Sequence, residues 1–215
     1  MGIAILFKIL IVLLAYLTGS IPTAYILFKI KRGEDIRKYG SGNVGGTNII
    51  RTLGTSWGIL TILADVIKGF LPVLVSYLVY PSDLILLVIV SSAAVLGHIF
   101  SVYIKFKGGK AIAATLGVVI GVSFLPFVSN PAWLRILPIF ITLGIWGIVF
   151  AISKIISLGS LIAAIAAPIS FYFTGYPWII VLAVFFWGVL IFLSHRNNIK
   201  RLIRGEEKKI KGKGA

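Results

Sequence analysis

Apolar residues gather into seven long stretches, and the polar positions fall almost entirely between them. The stretches lie at Ile3 to Phe28, Trp57 to Tyr80, Leu84 to Ile104, Ala111 to Phe127, Trp133 to Ile152, Leu158 to Thr174 and Trp178 to Leu193. A helix that crosses a bilayer takes about 20 mostly apolar residues, so each stretch predicts a transmembrane helix, with the fourth and last short enough to be half-buried or bent. Helix-ending residues fill three of the breaks, at Pro81-Ser82-Asp83, Ser129-Asn130-Pro131 and Gly175-Tyr176-Pro177. The expected fold is an all-α membrane protein, a polytopic bundle of about seven transmembrane helices. It forms one integral-membrane domain over residues 1–215, with no repeat and no separate soluble domain.

Charge then orients the bundle. Those three breaks are nearly free of cations, whereas the alternate ones are basic: Lys29, Lys31, Arg32, Arg37, Lys38 and Arg51, then Lys105, Lys107 and Lys110, then Lys154, then the tail. Only Lys8, Lys68 and Arg135 of the 21 Lys and Arg fall elsewhere. Under the positive-inside rule this predicts an outside N-terminus and a cytoplasmic C-terminus, with the basic tail 196–215 near the lipid headgroups. The first stretch is not expected to be a cleaved signal peptide. It lacks a basic leading region, Lys8 interrupts it, and Thr18-Gly19-Ser20 offers no small-residue cleavage site.

Composition excludes several classes. The 215 residues are 59% hydrophobic and 13% charged, whereas a soluble domain carries about 25% charged and about 45–50% apolar residues. The net charge of +15 could suggest nucleic acid. In so apolar a chain the cations serve orientation instead, and no nucleic-acid partner is expected. No cysteine is present, which removes thiolate nucleophiles and Cys-ligated metals, and two histidines do not suggest a metal site.

Polar groups at membrane depth are costly, so those near the spans are informative. The first basic loop reads Arg37-Lys38-Tyr39-Gly40-Ser41-Gly42-Asn43-Val44-Gly45-Gly46-Thr47-Asn48, followed by Arg51. Its glycines let backbone amides converge on an anion, and Ser41, Asn43, Thr47 and Asn48 add donors. A phosphate cradle and a flexible connector both fit. The Walker A spacing is absent. A second loop, Lys105-Phe106-Lys107-Gly108-Gly109-Lys110, leads into the fourth helix, where free amides and the helix dipole favour an anion. Lys105 and Lys107 satisfy the charge rule alone; Lys110, inside the glycine turn, is expected to be functional. At the end of the last helix stand His195 and Asn198, one helical turn apart, where His195 could bind or simply cap. Within the spans, Asp65 and Lys68 are placed to neutralise one another, as a structural pair or a catalytic one, and Gly97-His98 closes the third stretch.

These residues resemble the bacterial membrane-bound acyl-phosphate:glycerol-3-phosphate acyltransferases, over nearly the whole chain. Three motifs occur in order. They are Gly40 to Asn48 with Arg51, Gly54, Asp65, Lys68 and Gly69; then Gly97-His98-Ile99-Phe100 with Phe106 to Lys110; then His195-Arg196 with Asn198-Ile199, Arg201-Leu202 and Gly205. The chain departs from the family pattern at Gly46 (usually Ala), Ser101 (usually Pro), Ala111 (often Gly), Ala114 (where the Thr is displaced to Thr115) and Asn197 (commonly Glu).

The resemblance implies that Ser41, Gly42, Asn43, Thr47, Asn48, Gly108, Gly109 and Lys110 line the acyl-phosphate site. It implies that Arg51, Lys110, Ser157, His195 and Asn198 hold glycerol 3-phosphate, and that Ser41, Arg51, Lys110 and His195 are the catalytic set. It further implies a bacterial inner-membrane enzyme of phospholipid synthesis that needs no cofactor and makes lysophosphatidic acid. An acyl phosphate is already activated, so transfer needs no covalent acyl-enzyme. His195, His98, Asp65 or the donor phosphate could take the acceptor proton. The rival is a multipass transporter or flippase for a phosphorylated solute, although such proteins usually show repeats and midplane polar groups.

Overall fold

The computed structural model describes residues 2–126, 128 and 130–209. Phe127, Ser129 and the tail from 210, which figure in the expected fourth span, one break and the basic end, lie outside the described residues. The chain divides into two compact units, Met1–Phe127 and Val128–Ala215.

The first unit contains α1 (Gly2–Ser20), α2 (Thr23–Arg32), α3 (Gly46–Leu53), α4 (Thr55–Val79), α5 (Leu84–Ile99) and α6 (Ile112–Phe124), with single 3₁₀ turns at Ile36–Lys38 and Val102–Ile104. The second contains α7 (Ala132–Ser153), α8 (Ile156–Phe173), α9 (Trp178–Ser194) and α10 (Arg196–Ile203). Each of the seven apolar stretches contains a helix among the described residues. Five helices are long and apolar enough to cross a membrane alone, α9 with α10 forms a sixth that bends by 64°, and α6 is a shorter apolar helix. Their outer faces are apolar, as on α1 at Leu6, Phe7, Leu10 and Leu14, so the solvent they require is lipid.

The first expected span, Ile3 to Phe28, is corrected to two helices. Pro22 removes an amide and biases Ile21 away from helix, so α1 stops at Ser20 and the basic α2 starts afresh. Lys8 is explained too: its Nζ reaches Asp83 Oδ2 at 2.6 Å, and Asp83 caps α5 by accepting from the Leu86 amide at 2.9 Å.

In the first unit α1 packs on α5 and α4 on α6. The α4–α6 crossing brings backbones together: a Cβ on Gly117 would lie 1.9 Å from the Val66 carbonyl oxygen, and one on Gly69 2.0 Å from that of Ala114. In lipid no hydrophobic force joins helices, so small residues that permit such approach carry the packing. In the second unit α8 packs against both α7 and α9.

Candidate active site

Both glycine loops of the first unit rest on one small core of Ala24, Phe28, Ile36, Val44, Ile49 and Ile104. The first loop is pinned at its start by Asp35. This residue accepts from the Arg37 amide at 2.9 Å and from the guanidinium at 2.6 and 3.0 Å, and Arg37 holds its carboxyl below the usual carboxylate range. The middle is pinned by Asn48, which is buried. Its Oδ1 accepts from the Ser41 amide at 2.8 Å, and its Nδ2 donates to the carbonyls of Tyr39 and Asn43, both at 3.0 Å. Gly40 and Gly42 take φ of 63° and 70°, and Gly45 enters α3 with no side-chain cap on that helix. Ser41 and Gly42 are therefore displayed at the surface, Asn43 and Thr47 are half-buried beside the first turn of α3, and Arg51 is exposed in its last turn. Asn48 shapes the cradle from beneath.

The second loop folds back on the end of α5. The amides of Gly108 and Gly109 donate to the carbonyls of Ile99 and His98, each at 3.0 Å. A Cβ on Gly109 would stand 2.2 Å from His98 Nε2 and 2.7 Å from the Val44 carbonyl oxygen, so Gly109 is where the second loop meets the first. Lys110 follows, half-buried, ahead of α6.

Beneath these loops, Asp65 and Lys68 form the expected pair, 2.8 Å apart and buried. Their neighbours give the pair a structural task. Lys68 Nζ donates to the Ile21 carbonyl at 2.6 Å, the Thr23 hydroxyl donates to Asp65, and the Ser101 hydroxyl donates to the Ser20 carbonyl. The break between α1 and α2 frees carbonyls inside an apolar bundle, and these side chains satisfy them. Ser101 does this with a hydroxyl that the family's usual Pro would lack. His98 Nδ1 stands 3.9 Å from Asp65 Oδ1 and has no hydrogen-bond partner among the described residues.

In the second unit the chain bends at His195, between α9 and α10, instead of continuing as one helix. His195 Nδ1 lies 2.9 Å from the Ile191 carbonyl, which only accepts, so Nδ1 carries the proton. Helix α10 ends in a Schellman turn: the Glu206 amide donates to Arg201 O at 2.8 Å, and that of Gly205 to Leu202 O at 3.1 Å, with Gly205 at φ 69°. This reversal returns Glu207 onto its own helix. It accepts from Ser157 Oγ at 2.8 Å, Asn198 Nδ2 at 2.5 Å and Arg201 Nε at 2.6 Å. Burial works to raise the Glu207 carboxyl, but these bonds outweigh it and the net direction is down. The sequence motifs had not singled out Glu207; the available signal was an acid just after a helix-stopping glycine. Among the described residues no group of three His, Asp or Glu side chains could hold a metal.

Five to six apolar spans, with two glycine turns that meet at Gly109 in the first unit, define an integral membrane helical protein. The chain matches the glycerol-3-phosphate acyltransferase family over residues 9–205 and belongs to it. A glycerol-3-phosphate acyltransferase of Endomicrobium trichonymphae is 42% identical over 206 residues, covering 96% of this chain and 97% of that one. That of Aquifex aeolicus (strain VF5) is 39% identical, covering 92% and 96%. The crystal structure of PlsY, an integral membrane glycerol 3-phosphate acyltransferase, in its glycerol 3-phosphate form superposes with a TM-score of 0.85 at 36% identity, covering 95% of this chain and 96% of that one. Its lysophosphatidic acid form gives 0.82 at 34%. The chain is thus an integral membrane acyltransferase, and the transporter alternative falls away.

Proposed function

We propose that the chain transfers an acyl group from acyl phosphate to the 1-hydroxyl of sn-glycerol 3-phosphate, releasing phosphate and lysophosphatidic acid for phospholipid synthesis. The carrying observation is the junction at Gly109, where two glycine-rich turns that lead into α3 and α6 share one support. That arrangement suits a phosphate better than a thioester-linked carrier. Ser41, Asn43, Thr47 and Lys110 receive the donor phosphate along the turns of Gly42, Gly108 and Gly109, while Asn48 and the carbonyls of Ile99 and His98 hold the Ser41, Gly108 and Gly109 amides and so fix the shape of those turns. Arg51, Lys110, Ser157, His195 and Asn198 receive glycerol 3-phosphate, as the resemblance implies.

The donor is a mixed anhydride. Attack by the 1-hydroxyl oxygen on the acyl carbon and departure of phosphate complete the transfer without an acyl-enzyme. Two anions 4 Å apart repel by about 1 kcal/mol in water and more in a drier site, which Arg51 and Lys110 offset. Arg grips phosphate in a fork, while Lys acts as a point charge on the developing oxyanion. The departing phosphate, with a second pKa near 6 by analogy with phosphoserine, takes the hydroxyl proton. His195→Ala is then expected to raise the acceptor KM more than it lowers kcat.

The long acyl tail gains about 0.8 kcal/mol per buried CH₂, so donor and product stay in the bilayer while glycerol 3-phosphate arrives from the cytoplasm. The basic loops face the cytoplasm of a bacterial inner membrane, with the N-terminus outside. The test uses purified protein in detergent with palmitoyl phosphate and glycerol 3-phosphate, following phosphate release. Turnover with acyl-CoA and none with palmitoyl phosphate would overturn the donor. Labelling of Ser41→Cys from the outer face would overturn the orientation.

A further inference from the structure

Two polar atoms beneath the glycine turns of the first unit are left unmatched. His98 Nδ1 and the Ser20 hydroxyl are both buried, and neither has a hydrogen-bond partner among the described residues. At membrane depth such orphans are costly. The Asp65 carboxylate is a neighbour of His98, but its Oδ1 stands 3.9 Å from Nδ1, too far for a hydrogen bond. Asp65 has capacity to spare. A carboxylate offers about four acceptor sites, and the Thr23 hydroxyl and Lys68 Nζ occupy two of them. The His98 ring is held on its other side by the second loop: its own carbonyl accepts the Gly109 amide at 3.0 Å, and a Cβ on Gly109 would stand 2.2 Å from Nε2. His98 and Asp65 line one cavity of about 10 Å³, together with Ser20, Thr23, Lys68 and Ser101. That is room for one water, and a buried water makes about three hydrogen bonds. An apolar cavity of this size would stay dry; this one is walled by a carboxylate, an ammonium group and an unmatched imidazole nitrogen.

We propose that the cavity under Gly109 binds one water, which bridges His98 Nδ1 and the Asp65 carboxylate and so holds the His98 ring against the second glycine turn. A water about 2.8 Å from each atom spans a gap of 3.9 Å. It donates one proton to the carboxylate, and toward Nδ1 it donates or accepts according to the ring tautomer. The Ser20 hydroxyl, on a residue of the same cavity wall, is its third partner. The cluster that covers the break between α1 and α2 thereby reaches the second loop. Lys68 and Thr23 hold Asp65, Asp65 holds the water, the water holds His98, and the His98 ring lies under Gly109. The site does not depend on which acyl donor the enzyme uses.

The test is a crystal structure of the full-length protein, grown from lipid without substrates, at a resolution that orders internal water. One peak of water strength is expected within about 3.2 Å of both His98 Nδ1 and an Asp65 carboxylate oxygen. A ring turned so that Nδ1 touches Asp65 directly overturns the proposal, and so does the lack of any peak. A peak with ligand distances of about 2.0–2.5 Å marks a metal ion and overturns it equally. Two variants read the same point in detergent solution. His98→Asn keeps a polar atom near the place of Nδ1, whereas His98→Leu removes it and leaves the water and Asp65 without that partner. In thermal unfolding His98→Leu is expected roughly 5 °C below the parent. His98→Asn should recover more than half of that loss, and its crystal structure should keep the water peak. A leucine variant as stable as the asparagine one overturns the proposal. Should neither variant fold, the parent's crystal structure decides.

Discussion

Asn48 holds the Ser41 amide: its Oδ1 accepts that N–H at 2.8 Å while its Nδ2 donates to the carbonyls of Tyr39 and Asn43 on either side. One buried amide therefore sets three points of the loop, and both ends of the carboxamide are needed. Asn48→Asp keeps the acceptor but turns an oxygen toward two carbonyls; Asn48→Ala loses everything. Each variant is expected to lose about 1–3 kcal/mol from unsatisfied buried groups. Asp should be no better than Ala, in both thermal unfolding and turnover. An active Asn48→Asp enzyme would show that the loop shapes itself.

The Asp65–Lys68 pair is a second case where one partner alone is worse than neither. Removing one member of a buried pair costs about 3–5 kcal/mol because the other charge is left uncompensated. Lys68→Met and Asp65→Leu are each expected to unfold at much lower temperature, while the double variant recovers part of the loss, limited by the uncovered Ile21 carbonyl. Turnover should recover along with stability. A double variant that folds yet stays inactive would give the pair a part in the chemistry.

Hydrophobic runs made the helices legible, since lipid requires long apolar segments whose backbone groups are satisfied internally. The break at Ile21-Pro22 was less visible because the apolar run continues through it, although the proline marks it. The task of Asp65 and Lys68 could not be inferred from spacing alone: their i, i+3 relation predicts the pair, but not the carbonyl that Lys68 covers. Ala111 shows a similar limit. It stands where glycine is common in the family, and it adopts φ 59° ahead of α6, a left-handed conformation that glycine takes freely. The residue type alone does not disclose this. The motif residues fall on the two glycine turns and at the bend between α9 and α10, yet Asn48 faces inward and Glu207 went unnoticed, because side-chain direction depends on turns that no periodicity encodes.

Asp35 and Arg37 tie the entry of the first loop, and their pH dependence has a definite sign. The fold lowers the Asp35 carboxyl, chiefly through the hydrogen bond from Arg37. The pair therefore contributes stability above the ordinary carboxylate range and loses it as pH falls through the lowered folded value. Asp35→Asn should unfold at lower temperature than the parent near neutral pH. That gap should close in acid, as followed by thermal unfolding across a pH series. A gap independent of pH would mean that packing, and not charge, fastens the loop.

Gly205 offers control of Glu207 without touching it. Among the described residues, chain neighbours aside, nothing lies within 4 Å of the position a Cβ would take there, so the demand on this residue is its φ of 69°. Gly205→Ala places an L side chain in the left-handed region at about 1–2 kcal/mol. The Schellman turn that returns Glu207 to Ser157 and Asn198 is expected to loosen. The KM for glycerol 3-phosphate should rise while the KM for the acyl donor holds. Gly205→Asn, which tolerates this conformation, should restore most of the loss. Alanine and asparagine variants with equal acceptor KM would show that the turn has no influence on the site.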